Sequence, residues 1–325
     1  MVAFLLLLIG FYLIVRGGDF LVRSALRLSH RTGASQVLIG ATFVSLATTL
    51  PEIVISIYAI LTESEGLAVG NAIGGMMVSL ALIFALYAVF QPRAVSREQL
   101  MLKSFFLFFS IALVIVFSLG GRIGLWEGFI LGATYFLYLG LTTNQGKRQS
   151  SPITKTNNSS CDAVCKTCYK RKEIITGFLV GQALLLLGAF LLVQNSERLS
   201  AMIGLSETVV GFTLVALGTS TPEFVTVISS IRQKSGELAI GNIIGSNIIN
   251  ATLLLGICGV ASALDGAPLG ISPHTMFVSL PVLVVASLIA VLPIIIKGRI
   301  YRTQGVALLL LYCAYMIYLV TVKPL

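Results

Sequence analysis

Long apolar runs alternate with short polar breaks along the whole chain. A helix that crosses about 30 Å of hydrocarbon needs on the order of 20 apolar residues. Ten runs meet that requirement, near residues 2–22, 35–61, 68–91, 103–119, 124–142, 174–195, 205–231, 238–262, 274–296 and 303–322. The pattern predicts an all-α integral membrane protein with ten transmembrane helices. With 56% hydrophobic and 11% charged residues, the 325-residue chain does not read as a soluble globular domain.

A formal net charge of +9 would suggest nucleic acid in a soluble protein, but the placement of the basic residues argues otherwise. Counted over the odd-numbered connections, from Arg23, Arg27 and Arg31 through to Lys297, Arg299 and Arg302, they number 18. The opposite side has only Arg122, Arg198 and Lys323, with Arg16 left inside the first run. By the positive-inside rule the odd connections are cytoplasmic and both termini lie outside, in a cell membrane, with the lipid bilayer rather than nucleic acid as partner. The first run lacks a basic leader and a small-residue cleavage site, so no cleavable signal peptide is expected.

Shifting the chain by 171 residues superimposes segment 33–80 on 204–251 with about 19 identities in 48 positions. The chain is therefore an internal repeat. Five runs per half start the second half from the other side of the membrane, giving two inverted five-helix repeats. The first repeat is 1–142 and the second 174–325. Residues 143–173, rich in Ser, Thr, Asn and Lys, form a cytoplasmic linker.

The repeat carries its chemistry inside the apolar runs. Gly40-Ala-Thr-Phe-Val-Ser-Leu-Ala-Thr-Thr-Leu-Pro-Glu52 matches Gly211-Phe-Thr-Leu-Val-Ala-Leu-Gly-Thr-Ser-Thr-Pro-Glu223. A carboxylate at mid-membrane costs about 2.5–3.5 kcal/mol even on lenient scales, so Glu52 and Glu223 are functional candidates by default. Pro51 and Pro222 should open their helices, freeing the carbonyls of Ala47 and Gly218 as cation ligands. Thr48 and Thr219, four residues before each glutamate, share its helix face. Oxygen donors without nearby Cys or His suit a hard ion such as Ca2+ or Na+ rather than zinc or copper. A second element, Gly70-Asn71-Ala-Ile-Gly74-Gly75-Met76-Met77-Val-Ser79, matches Gly241-Asn242-Ile-Ile-Gly245-Ser246-Asn247-Ile-Ile-Asn250. Its glycines four apart should let helices approach closely and bring these polar groups against the glutamate-bearing spans.

Together these residues resemble the cation/calcium exchanger superfamily, whose sodium/calcium exchangers carry G-T/S-S-x-P-E followed by G-N-x-x-G-S-N-x-x-N/D in each half. The resemblance implies ions bound near the midplane between the second, third, seventh and eighth helices. It makes Glu52 and Glu223 the bidentate or bridging carboxylates, with Thr48 and Thr219 adding oxygens. Thr49, Ser220, Ser246 and Asn250 would line neighbouring ion positions. The first half departs from the family pattern: Gly75, Met76 and Ser79 stand where Ser, Asn, and Asn or Asp are usual, and Ala47 replaces Gly. That half offers fewer oxygens, which bears on the number of sodium positions.

The expected function is secondary active exchange of Ca2+ for Na+, with proton-coupled Ca2+ exchange, Glu52 and Glu223 taking up protons in the return step, as the alternative. An ion channel would need a continuous pore, usually from several subunits, for which the repeat gives no sign. An intramembrane enzyme would need a catalytic dyad or HExxH, and neither is present, so neither catalytic residues nor a cofactor is expected. Cys161, Cys165 and Cys168 form C-x3-C-x2-C, but a linker of about 30 residues has no room for the domain that encloses an iron-sulfur cluster. Cys258 and Cys313 read as buried small side chains. His30, His274 and Trp126 read as interfacial residues at span ends. The sequence does not specify an oligomeric state.

Overall fold

The structure, a computed structural model, describes residues 2–149, 171–203 and 216–321. Its helices are α1 (Val2–Thr32), α2 (Gln36–Leu61), α3 (Glu65–Phe90), α4 (Arg97–Ser118), α5 (Leu125–Gln149) and α6 (Arg171–Ile203). After a single turn at Ala216–Thr219 come α7 (Thr221–Arg232), α8 (Gly236–Leu264), α9 (Thr275–Lys297) and α10 (Arg302–Thr321). Among the described residues, seven helices are long and apolar enough to cross a membrane: α2, α3, α4, α6, α8, α9 and α10.

Several expected boundaries move. The first helix does not end near residue 22. It continues to Thr32, so Arg23, Arg27 and Arg31 ride on it rather than in a connection. Gly33 then takes a left-handed φ of 71° and donates its N–H to Ser29 O at 2.9 Å, a glycine stop at a helix C-terminus. Ser35 caps the next start by accepting from the Leu38 N–H. Helix α5 runs on to Gln149 and α6 begins at Arg171, so both enter the segment read as linker. The remaining linker residues, Cys161, Cys165 and Cys168 among them, lie outside the described residues, as does the start of the expected span 205–231.

Equivalence by 171 residues recurs in the tertiary structure. The connections after α2 and α7 place Glu63 and Lys234 in the left-handed region at φ 60° and 56°. In the first the Ser64 N–H closes on Ala59 O, and in the second the Ser235 N–H closes on Ser230 O. Non-glycine residues avoid that region because Cβ crowds the backbone, so the same exception at equivalent positions marks one turn used twice. Helices α1 and α6 meet through glycines in the same relation: a Cβ on Gly17 would lie 2.8 Å from Gly181 O, and one on Gly188 would lie 2.7 Å from Gly10 O. Two short antiparallel pairings tie connections together at Arg122–Ile123 with Leu269–Gly270 (β1 and β2), and at Ala94 with Arg299.

Helices α3 and α8 are innermost and mostly buried, whereas much of α6 and α10 is exposed. Without a hydrophobic drive between helices in lipid, close contact rests on small residues that let backbones touch. The expected glycine contact is present. Cβ atoms on Gly241 and Gly245 of α8 would stand 2.4 Å from Val37 O and 2.6 Å from Ala41 O of α2. The partner is the glutamate-bearing helix of the other half.

Candidate cation site

The prolines act differently in the two halves. Pro222 sits in the first turn of α7, and Ser220 just before it leaves helical geometry at φ −83°, ψ 2°. There the helix opens as expected. Pro51, by contrast, lies inside α2, and the helix passes through it without a break. The expected opening at Pro51 is thus not seen, although proline still denies the Ala47 carbonyl its usual N–H partner. The irregularity of α2 lies earlier, in a π-helical stretch at Gly40–Val44. Two more such stretches, Val78–Ile83 and Asn250–Leu254, hold the candidate residues Ser79 and Asn250. Wide turns of this kind appear mostly as single interruptions, frequently at functional sites.

Glu52 is 1% exposed and Glu223 is 2% exposed. The two carboxyl groups lie close enough to interact electrostatically, and among the described residues no basic side chain acts on either. Each instead meets a hydroxyl from the opposite half. Ser220 Oγ donates to Glu52 Oε1 at 3.4 Å, and Thr49 Oγ1 donates to Glu223 Oε1 at 3.5 Å. The threonines one position earlier repeat the exchange: Thr48 Oγ1 donates to Asn242 Oδ1 at 3.2 Å, and Thr219 Oγ1 donates to Asn71 Oδ1 at 3.0 Å. All four contacts are pairwise equivalent under the 171-residue shift, so the site lies on the seam between the repeats. With the hydroxyl hydrogens held by these partners, the oxygen lone pairs are left to meet a cation.

The second-element residues complete the wall. Ser79 Oγ lies 3.4 Å from Ser246 Oγ and accepts from Asn247 Nδ2 at 3.0 Å. Asn250 fills the space that Gly75 leaves: a Cβ at 75 would be 3.2 Å from Asn250 Nδ2 and 3.7 Å from Ser220 Oγ. Ala47 and Gly218 are buried one turn before their glutamates. The Thr48 hydroxyl, expected beside Glu52, turns instead to Asn242 of the other half.

Among the described residues of this site, four buried oxygens find no hydrogen-bond partner, Glu52 Oε2, Glu223 Oε2, Asn247 Oδ1 and Asn250 Oδ1, and neither does the amide nitrogen of Asn242. Burying an unpaired carboxylate is costly, and two facing carboxylates repel. Both costs are offset when a cation sits between them. The donor set is carboxylate, amide oxygen and hydroxyl, the ligand chemistry of a hard ion. Three residues central to this arrangement, Asn71, Asn242 and Asn247, were not singled out from sequence. Asn71 additionally holds the backbone of the glutamate helix, its Nδ2 donating to Glu52 O at 3.1 Å and to Ser56 Oγ at 2.9 Å. The signal available was their place in the repeated element beside the glycines. What they bond to was not.

The family model described as "sodium/calcium exchanger protein" matches residues 2–144 and 173–321. The chain belongs to the sodium/calcium exchanger family. It is 30% identical to sodium/calcium exchanger MaX1 of Methanosarcina acetivorans over 98% of both chains. It is 31% identical to the uncharacterized membrane protein MJ0091 of Methanocaldococcus jannaschii over 94% of both. Among solved structures it is similar to the sodium-calcium exchanger NCX_Mj soaked with Na+ and Ca2+, with a TM-score of 0.78 and 27% identity over 99% of each chain. The same exchanger soaked with Na+ and Sr2+ matches with a TM-score of 0.77 at 28% identity over 98% of each chain. The chain is thus an integral membrane protein of a cation/calcium exchanger family, as the two motifs indicated.

Proposed function

We propose that this member of the sodium/calcium exchanger family is a secondary active antiporter that moves Ca2+ in exchange for Na+ by alternating access to the Glu52–Glu223 site. The observation that carries this reading is the pair of buried carboxylates which, among the described residues, have no basic partner and each keep one oxygen without a hydrogen bond. Two carboxylates balance one divalent ion. Sodium ions on overlapping oxygens compete with it, so that departure of one kind of ion permits arrival of the other. Glu52, Glu223, Thr48 and Thr219 hold Ca2+, while Thr49, Ser220, Ser79, Ser246 and Asn250 line sodium positions, with the Ala47 and Gly218 carbonyls beside them.

On this reading the chain forms ten transmembrane helices, α7 with the segment before it counting as one, in two inverted five-helix repeats. The termini lie outside and the segment between α5 and α6 lies in the cytoplasm. The equivalent turns and reciprocal contacts support the repeat, and the charge bias supports the orientation. Helices α1 and α6 make their most extensive contacts with each other, so they suit a pair that shifts together against the rest.

Proton-coupled Ca2+ exchange is the second reading, and Gly75 and Met76 favour it by withholding two polar side chains from the first half. Radioactive Ca2+ uptake into proteoliposomes under imposed gradients separates the two. Uptake driven by an outward Na+ gradient supports sodium coupling. Uptake driven by a pH gradient and indifferent to Na+ overturns it.

A further inference from the structure

A third acidic residue lies within a helix of the bundle, away from the central pair. Asp19 is half-buried on α1, and its Oδ1 accepts a hydrogen bond from Ser229 Oγ of α7 at 2.5 Å. Ser229 in turn accepts from Gln233 Nε2 at 3.0 Å. Between this group and Glu223 stands Thr226, fully buried, whose Oγ1 has no hydrogen-bond partner among the described residues. Glu223, Thr226 and Ser229 of α7 and Gln233, which caps its end, follow at intervals of three, three and four, which puts them on one side of the helix from the central site to its end. The equivalent positions of α2 are Glu52, Ile55, Tyr58 and Thr62, so the stripe exists in one half only.

The stripe is shut where α1 crosses it. A Cβ on Gly18 would lie 2.9 Å from Val225 Cγ1 and 3.6 Å from Thr226 Oγ1, leaving no room for an ion. We propose that Asp19, Ser229 and Thr226 form a second, transient cation station, on the route between the central site and the membrane face at the end of α7. This rests on the exchange reading above. When α1 draws away from α7, the stripe opens. Asp19 and Ser229 exchange their hydrogen bond for a Na+ or Ca2+ ion, and Thr226 supplies the next oxygen toward Glu223. A buried hydroxyl without a partner is costly in a closed helix seam, and it finds its use in the open one. An acidic group inside a membrane helix bundle is itself commonly part of an ion pathway.

The test is ion exchange by the full chain in proteoliposomes of determined orientation, measuring the half-saturating Na+ and Ca2+ concentrations at each face. Asp19→Asn should raise both about tenfold at the face reached from the end of α7, by loss of a carboxylate–cation attraction, and leave the opposite face unchanged. Thr226→Val should show the same sidedness with a smaller effect and carries the test if Asp19→Asn proves unstable, whereas Asp19→Glu, which keeps the carboxylate, should stay near wild type at both faces. Equal effects at both faces would make Asp19 a structural residue and overturn the station. So would wild-type kinetics in Asp19→Asn. Wild-type protein that exchanges neither ion would sink the exchange reading, and the station with it.

Discussion

Gly241→Ala tests how the helix seam holds the proposed ion site. A methyl at 241 would stand 2.4 Å from Val37 O and 3.0 Å from Ala41 N, both backbone atoms of α2 that cannot rotate away. Carbon contacts relax only near about 3.5 Å, so α2 and α8 must separate by about 1 Å. The next residue is Asn242, whose Oδ1 receives the Thr48 hydroxyl at 3.2 Å. A shift of that size takes the pair beyond the roughly 3.5 Å limit of a hydrogen bond. Overpacking costs about 1–3 kcal/mol in stability, and loss of one buried hydrogen bond at the site, about 0.5–1.5 kcal/mol, corresponds to roughly a two- to tenfold weaker Ca2+ interaction. The assay pairs thermal unfolding in detergent with the half-saturating Ca2+ concentration for uptake. Gly40→Ala, whose methyl would lie 2.3 Å from Leu238 O, loads the same seam from the α2 side and should behave alike. Gly66, with nothing within 4 Å, is the control. Wild-type melting and wild-type Ca2+ dependence in Gly241→Ala would refute the claim that this backbone contact sets the site.

Glu52→Gln and Glu223→Gln should each abolish Ca2+ transport while leaving the protein folded, and Ca2+ should raise the melting temperature of the wild type but of neither variant. Transport retained in either variant would contradict a shared site. Ser246→Ala and Asn250→Ala should raise the Na+ concentration for half-maximal Ca2+ efflux more than Ser79→Ala does, because Ser79 already spends a lone pair on Asn247. Gly75→Ser with Ser79→Asn should lower that concentration if Asn250 can yield the few tenths of an ångström that a Cβ at 75 requires, and equal values throughout would count against sodium coupling. A membrane-impermeant thiol reagent added outside intact cells should leave Cys161, Cys165 and Cys168 unlabelled, and labelling would reverse the proposed orientation.

Membrane placement, the repeat and the two glutamates could all be read from the chain, because each rests on local physics. Runs such as 68–91 and 274–296 need no partner to declare themselves, since lipid requires a backbone satisfied within its own segment. A carboxylate such as Glu52 in an apolar run is expensive wherever the helix goes, so its presence speaks before its neighbours are known. The Gly241 and Gly245 spacing likewise announced a close contact with a glutamate-bearing helix, though not that it is the one of the other half.

Tertiary structure alone decided the partners. The hydrogen bonds that join the two halves at the candidate site link residues 148 to 194 positions apart, as between Thr219 and Asn71 or Thr48 and Asn242. No periodicity within either repeat encodes which amide a threonine will meet. The same holds for the prolines: the motif is shared, yet α2 passes through Pro51 while the backbone leaves helical geometry before Pro222. Proline removes one backbone hydrogen bond in either case, but whether the chain then bends open depends on what packs around it. Asn71, Asn242 and Asn247 were visible as letters in a repeated motif and became site residues only when the two halves were laid against each other. An amide's role is fixed by the groups its oxygen and nitrogen reach, and those groups come from the other repeat.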